Sequence, residues 1–245
     1  MTGRAIRILV GVISFLGVLI LSQPAALADQ VTMQLINPPP GSVMYNVYIS
    51  PYLATIKGIS TSVICDDFVD DTYTKEIWTA YVFDGSADLS NTRMADARLL
   101  EVTALNDDYD AVAWLALRLY SPGISLAQQG LYSFAIWDIF ADASVHAWLG
   151  ARGGASFYSD VTSEAQIARD NAAEGERSIL TIYSPVADSA SCGGGDCPTT
   201  PPQEFVVVKA PEASAPVILA FDLLALLGVV FLVRRRAVWN AGVAR

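Results

Sequence analysis

Two uncharged or nearly uncharged apolar runs, residues 8–21 and 217–233, bracket this chain and leave the stretch between them to do the folding. The first follows Arg4 and Arg7 and ends in Pro24-Ala25-Ala26-Leu27-Ala28. A positive start, a 14-residue apolar core and a small-x-small end are the parts of a secretory signal peptide, with cleavage after Ala28. The second run carries one charge, Asp222, and is followed at once by Arg234, Arg235 and Arg236. Seventeen helical residues rise about 25 Å at ~1.5 Å each, slightly less than the ~30 Å hydrocarbon core, and snorkelling arginines make up the difference. An arginine cluster at that point is a stop-transfer signal on the cytoplasmic side. The alternatives are an uncleaved N-terminal anchor and a buried C-terminal helix. The expectation is therefore a signal peptide over 1–28, a globular domain over 29–209 and an anchoring segment over 210–245.

Residues 29–209 carry nine Lys or Arg and 23 Asp or Glu, against 15 and 25 in the whole chain. Basic residues are thus concentrated at the ends, and the central body is strongly acidic. Such a body repels nucleic acid, whose binding needs cations to displace phosphate counterions. One histidine and three cysteines speak against a multi-histidine or four-cysteine metal centre.

The pattern within the body is strands, then helices, then strands. Val31, Met33 and Leu35 alternate with polar residues, Tyr45, Val47 and Ile49 share a strand face, and 61–65 and 77–83 are β-branched and aromatic. Val112, Leu115, Ala116 and Leu119 form a helical stripe. Tyr132, Ala135, Ile136 and Ile139 repeat it, behind a Ser125-x-x-Gln128 capping box. A third helix is predicted over about 161–173, and strands return at 178–183 and 205–208. The fold class expected is α+β, one mixed domain of strands flanking a helical insert, with a transmembrane helix at 217–233.

Pro211-Glu212-Ala213, the apolar span and the arginine cluster together resemble the PEP-CTERM sorting signal of exported Gram-negative bacterial proteins. The resemblance implies processing by an exosortase and association with exopolysaccharide. The second proline of the motif is absent here.

Five groups of residues are candidates for chemistry. Cys65 ends a predicted strand, and Phe134-Ala135-Ile136-Trp137 lies in a helix. The pair is similar to the thioester domains of bacterial surface adhesins, in which a strand cysteine condenses with a glutamine two residues before the alanine. Ser133 stands at that position, so the resemblance implies the fold and not the bond. Cys192 and Cys197 flank a Gly-rich loop and are a disulfide candidate, which would leave Cys65 as a free or reactive thiol; pairing of Cys65 with either is the rival. Asp66, Asp67, Asp70 and Asp71, and then Asp107, Asp108 and Asp110, offer oxygen ligands to Ca²⁺ but lack EF-hand spacing, so solvated loops and helix caps are expected instead. His146 could pair with Ser133 or Cys65 in a hydrolase. Trp148, Tyr120 and Tyr158 are better placed than Trp114 and Trp137 to stack on sugar rings, the latter two lying beside helix stripes.

The functional expectation follows from the ends more than from the body. It is a non-enzymatic, exported, membrane-anchored surface or matrix protein of the cell envelope, needing no cofactor, with the membrane, signal peptidase, an exosortase and exopolysaccharide as partners. A covalent thioester adhesin at Cys65 and a hydrolase around Ser133 or Cys65 with His146 are the alternatives.

Overall fold

Alternating residues at the start of the body do what period two dictates: one face of β1 (Asp29–Asn37) is buried through Val31, Met33 and Leu35, and the other is not. The computed structural model describes residues 28–37, 41–98, 102–192 and 201–209. Its remaining strands are β2 (Val43–Met44), β3 (Val47–Tyr48), β4 (Tyr52–Ile56), β5 (Ile59–Cys65), β6 (Ile77–Asp84), β7 (Leu180–Pro185) and β8 (Phe205–Val208). Six of them close into a barrel in the order β1-β4-β5-β8-β7-β6, and β2 and β3 form a separate hairpin. β1 pairs with β4 and β6, β5 with β4 and β8, and β6 with β7, all antiparallel. Closure removes the open sheet edges that would otherwise invite pairing with another chain.

The barrel interior is filled by Val31, Met33, Leu35, Tyr52, Ala54, Ile56, Val63, Cys65, Trp78, Ala80 and Phe205. Phe205 is the meeting point of its rings, 5.8 Å from Trp78 and 6.2 Å from Tyr52 between centroids. Tyr45 and Asn46 take positive φ, 49° and 64°, and make the turn of the small hairpin. Tyr45, Val47 and Ile49 therefore do not share one strand face: the turn and the short β3 intervene, and Ile49 is fully buried just beyond it.

Between β6 and β7 lie α1 (Arg93–Arg98), α2 (Val102–Leu119), α3 (Leu126–Gly150), α4 (Ala155–Asn171) and a 3-10 turn (Glu176–Ile179). The stripe Val112, Leu115, Ala116, Leu119 on α2 is buried. α3 starts with both halves of the Ser125–Gln128 capping box in place. Residues 133–140 of α3 are buried without interruption, so the helix is enclosed on all sides rather than on one stripe. α2 and α4 pack against α3 and each other. Non-helical dihedrals at Ala141 (φ −139°, ψ 39°) kink α3 where that enclosure ends. The third helix begins at 155, six residues before the expected start.

The expected architecture is corrected in two respects. The strands do not merely flank a helical insert; they close into a barrel, with a helical bundle inserted between β6 and β7. And no helix among the described residues is long and apolar enough to cross a membrane. α3, at 25 residues, commits its apolar side chains to the barrel and the bundle and bears Asp138, Asp142 and His146. The span 217–233, with Pro211, Glu212, Arg234, Arg235 and Arg236, lies outside the described residues, as do residues 1–27 of the signal segment. The membrane-anchored reading thus gains no helix that could act as its anchor. The expectation of single-pass anchoring in the envelope, with the membrane, signal peptidase, exosortase and exopolysaccharide as partners, is corrected accordingly: the described residues form a barrel and a helical bundle with no spanning helix. The chain divides into compact units Met1–Val207 and Val208–Arg245, of which the second is described only at Val208 and Lys209.

Candidate functional site: an aromatic cleft above a buried acid network

β5 delivers its last residues to the helical bundle, and a short polar chain joins the two. Trp137 Nε1 on α3 donates to the Cys65 carbonyl at 2.9 Å. The Cys65 N–H donates to Ser50 Oγ at 3.1 Å, and the Ser50 N–H donates to Ser133 Oγ at 3.0 Å. These backbone groups are buried, and leaving any one unpaired would cost about 1–3 kcal/mol. The segment 133–137 and Cys65 are therefore neighbours.

The two alternatives that would give these residues chemistry are not supported by the geometry. Ser133 is fully buried and its oxygen is engaged by Ser50; it has no acyl group to give a thiol. Gln128 is held at the helix start by Ser125. Cys65 is a free, fully buried thiol bonded to the Asp67 carbonyl at 3.1 Å. Burial first, then the charge of Asp67, push that thiol well above its usual range, so it stays protonated and is a poor nucleophile. His146 is exposed and stacks on Tyr158, 4.3 Å between centroids, whereas Ser133 and Cys65 are buried under the bundle. Neither a thioester nor a hydrolytic dyad is assembled. Cys192 is disulfide-bonded, and Cys197 lies outside the described residues.

The aspartates after β5 form an inner network in place of a solvated loop. Arg93, at the start of α1, reaches Asp67 through Nε at 2.6 Å and Asp70 through its terminal nitrogen. Asp67 Oδ1 accepts the Val69 N–H at 3.0 Å, which ties the loop to itself. Asp67 and Asp70 are 2 % and 7 % exposed. A guanidinium thus sits where a cation ligated by these residues would have to be. Among the described residues no three His, Cys, Asp or Glu side chains converge as a metal site. Asp71 is exposed. In the second acidic group, Asp108 pairs with Arg169 and Asp110 with Arg177. Both pairs pin the bundle together.

Over this network opens a cleft of about 390 Å³, within the range of small-ligand sites. Seven of its fifteen lining residues are aromatic: Tyr48, Tyr52, Phe68, Tyr73, Trp137, Trp148 and Phe205. Asn46, Asp70, Asp71, Thr72, Thr74 and Gln203 supply polar groups, and no Lys, Arg or His among the described residues lines it. Phe68 is its hub, 5.1 Å from Trp137 and 5.9 Å, edge-on, from Trp148. Trp148 Nε1 is anchored to the Tyr45 carbonyl at 2.9 Å, and Arg152 lies over its ring. Tyr52 donates to the Tyr48 carbonyl at 2.6 Å, and Gln203 Nε2 to the Asp67 carbonyl at 2.7 Å.

Of the rings marked as exposed candidates in the sequence, only Trp148 belongs to this cleft. Tyr120 donates to Ser62, and Tyr158 to Asp142 beside His146. Trp137 is both core and cleft floor. Tyr48, Tyr52, Phe68 and Tyr73 were not singled out, because they come from the small hairpin, β4 and the aspartate loop. Only the tertiary fold gathers them.

Asp138 on α3 is buried, and its folded-state pKa is raised to about 6, by burial first and Asp142 next, with Arg169 opposing. One of its oxygens has no hydrogen-bond donor. A carboxyl whose pKa is raised on folding contributes stability below its unfolded pKa and loses it as pH climbs through the folded value. Asp138→Asn is expected to raise the unfolding free energy at pH 8 by about 1–3 kcal/mol and leave it nearly unchanged at pH 4. Urea melts across that interval check it; an unchanged pH slope would show that Asp138 is not the titrating group.

No family model matches the chain, and no curated protein matches it. Among solved structures, the N-terminal domain of the Streptococcus pyogenes pilus tip adhesin Cpa overlays 77 % of this chain and 96 % of its own, at 8 % identity and a TM-score of 0.39. A likeness that loose carries no argument. The sorting-signal and thioester-domain resemblances rest on the quoted residues alone.

Proposed function

We propose that the described domain is a binding module, not an enzyme, and that its cleft receives an organic cation such as an alkylammonium group. The observation that carries this reading is the lining itself: seven aromatic rings, the exposed carboxylate of Asp71 beside the Arg93-paired Asp70 and, among the described residues, no basic side chain. Aromatic faces attract a cation through their quadrupoles, by ~0.5–1 kcal/mol at exposed sites and about 2 where water is excluded. Asp71 at the lip adds charge complementarity, and the acidic body favours the approach of cations over anions. The candidate nucleophiles Cys65 and Ser133 are buried and engaged by hydrogen bonds, which supports binding rather than catalysis.

The test titrates the full chain with choline and with its neutral isostere, 3,3-dimethylbutan-1-ol, following tryptophan fluorescence. Choline is expected to bind with a Kd on the order of 1 mM or tighter, and the isostere roughly tenfold more weakly. Asp71→Asn should weaken choline and leave the isostere unchanged. Equal affinities, or no response to choline, would overturn the reading.

A further inference from the structure

β8 joins β5 through the pairs Ile64↔Val206 and Cys65↔Phe205. One step further along this antiparallel register stand Asp66 and Glu204. Side chains alternate across a strand, so Cys65 and Phe205 point into the barrel while the next pair points out of it, under the bundle. Both carboxyls are fully buried.

Their surroundings are unequal. Glu204 accepts the Tyr109 hydroxyl from α2 on one oxygen and the Arg93 N–H, at 3.0 Å, on the other. Ser184 on β7, which accepts that same N–H at 2.7 Å, completes its shell. Neither oxygen of Asp66 has a donor. The charged or titratable groups facing the pair are Cys65 and Asp67 on its own side, Tyr109 on α2 and Arg93 on α1, whose guanidinium is directed at Asp67 and Asp70. An ionised, donorless Asp66 beside an ionised Glu204 would be two like charges out of water, which proteins resolve by keeping a proton.

We propose that Asp66 and Glu204 hold one proton between them as a carboxylic acid–carboxylate pair, and that this proton seals the barrel at the β5–β8 junction. Asp66 keeps the proton and directs it to Glu204, whose oxygens already accept from Tyr109 and Arg93. Burial and the partner's charge push Asp66 well above the ordinary carboxylate range, with Glu204 raised in the same direction by burial. The seal is therefore present while the proton is held and is lost as the pH rises past the folded-state value. Gln203 and Phe205 flank Glu204 and line the cleft, so loss of the seal at β8 also disturbs the cleft. That last consequence rests on the binding reading above; the seal does not.

The experiment follows amide exchange at Phe205 and Val206 in the full chain from mildly acidic to mildly alkaline buffer. Protection factors divide out the intrinsic pH dependence of exchange. They are expected to fall about tenfold or more in the natural protein and by less than about twofold in Asp66→Asn, whose amide replaces the proton with a permanent donor. Infrared difference spectra recorded in an Asp138→Asn background, which removes the other buried carboxyl that titrates here, should show one protonated buried carboxyl disappearing over the same pH interval. That band should be absent once Asp66→Asn is added. Constant protection across the pH range in the natural protein, or no protonated buried carboxyl once Asp138 is replaced, would overturn the proposal. Choline measured alongside separates the two readings. PH-dependent protection without choline binding upholds the seal and removes the cation site; choline binding with constant protection removes the seal alone.

Discussion

Arg93→Met is expected to lower the unfolding free energy by roughly 3–5 kcal/mol, the cost of leaving buried charge without its partner. The reason is specific to the place. Arg93 is the cation of Asp67 and Asp70, each less than a tenth exposed, and both belong to the loop that carries Phe68 and the cleft rim. Methionine keeps the apolar stem and removes the fork. Arg93→Lys should recover only part of the loss, because one ammonium cannot reproduce bidentate, in-plane donation to two carboxylates. Adding Asp67→Asn and Asp70→Asn to Arg93→Met should recover a further part, since the stranded charges go with them. Urea midpoints at constant slope are the measurement. A loss below about 1 kcal/mol would mean that water reaches these aspartates and screens them.

The second large effect is expected at Trp137. Its ring is 2 % exposed, lies 4.9 Å from Phe134 and 5.1 Å from Phe68, and its N–H holds the Cys65 carbonyl. Trp137→Phe retains most of the packing and strands that carbonyl, for a loss of about 1–3 kcal/mol. Trp137→Ala removes the ring as well, for about 3–5 kcal/mol. Both variants should weaken choline, and alanine more so, because the ring is also the cleft floor. If phenylalanine proves as stable as tryptophan, water has replaced the indole N–H at Cys65, and the strand end is wetter than its burial implies.

The elements differed in how legible they were. β1 declared itself through Val31, Met33 and Leu35, because one wet face and one dry face impose period two. α2 did so through its stripe and α3 through its capping box, both local signals. The hairpin turn at Tyr45 and Asn46 left no such trace, since two non-glycine residues adopt positive φ there. The helical stripe of α3 was legible, but not that 133–140 is buried on every side, Ser133 and Asp138 included, because barrel and bundle enclose it together. Asp67 and Asp70 read as a solvated loop because their partner, Arg93, is 26 and 23 residues further along the chain.

Local chemistry in the sequence settled which stretches alternate, which helices are capped and how acidic the body is. Those properties depend on neighbours a few residues apart, so no fold is required to read them. Barrel closure, the gathering of the cleft's aromatic rings, and the meeting of Asp66 with Glu204 were decided only by the tertiary structure. Each depends on strands and helices distant in sequence packing together, and burial then turns ordinary carboxyls and rings into a network with its own electrostatics.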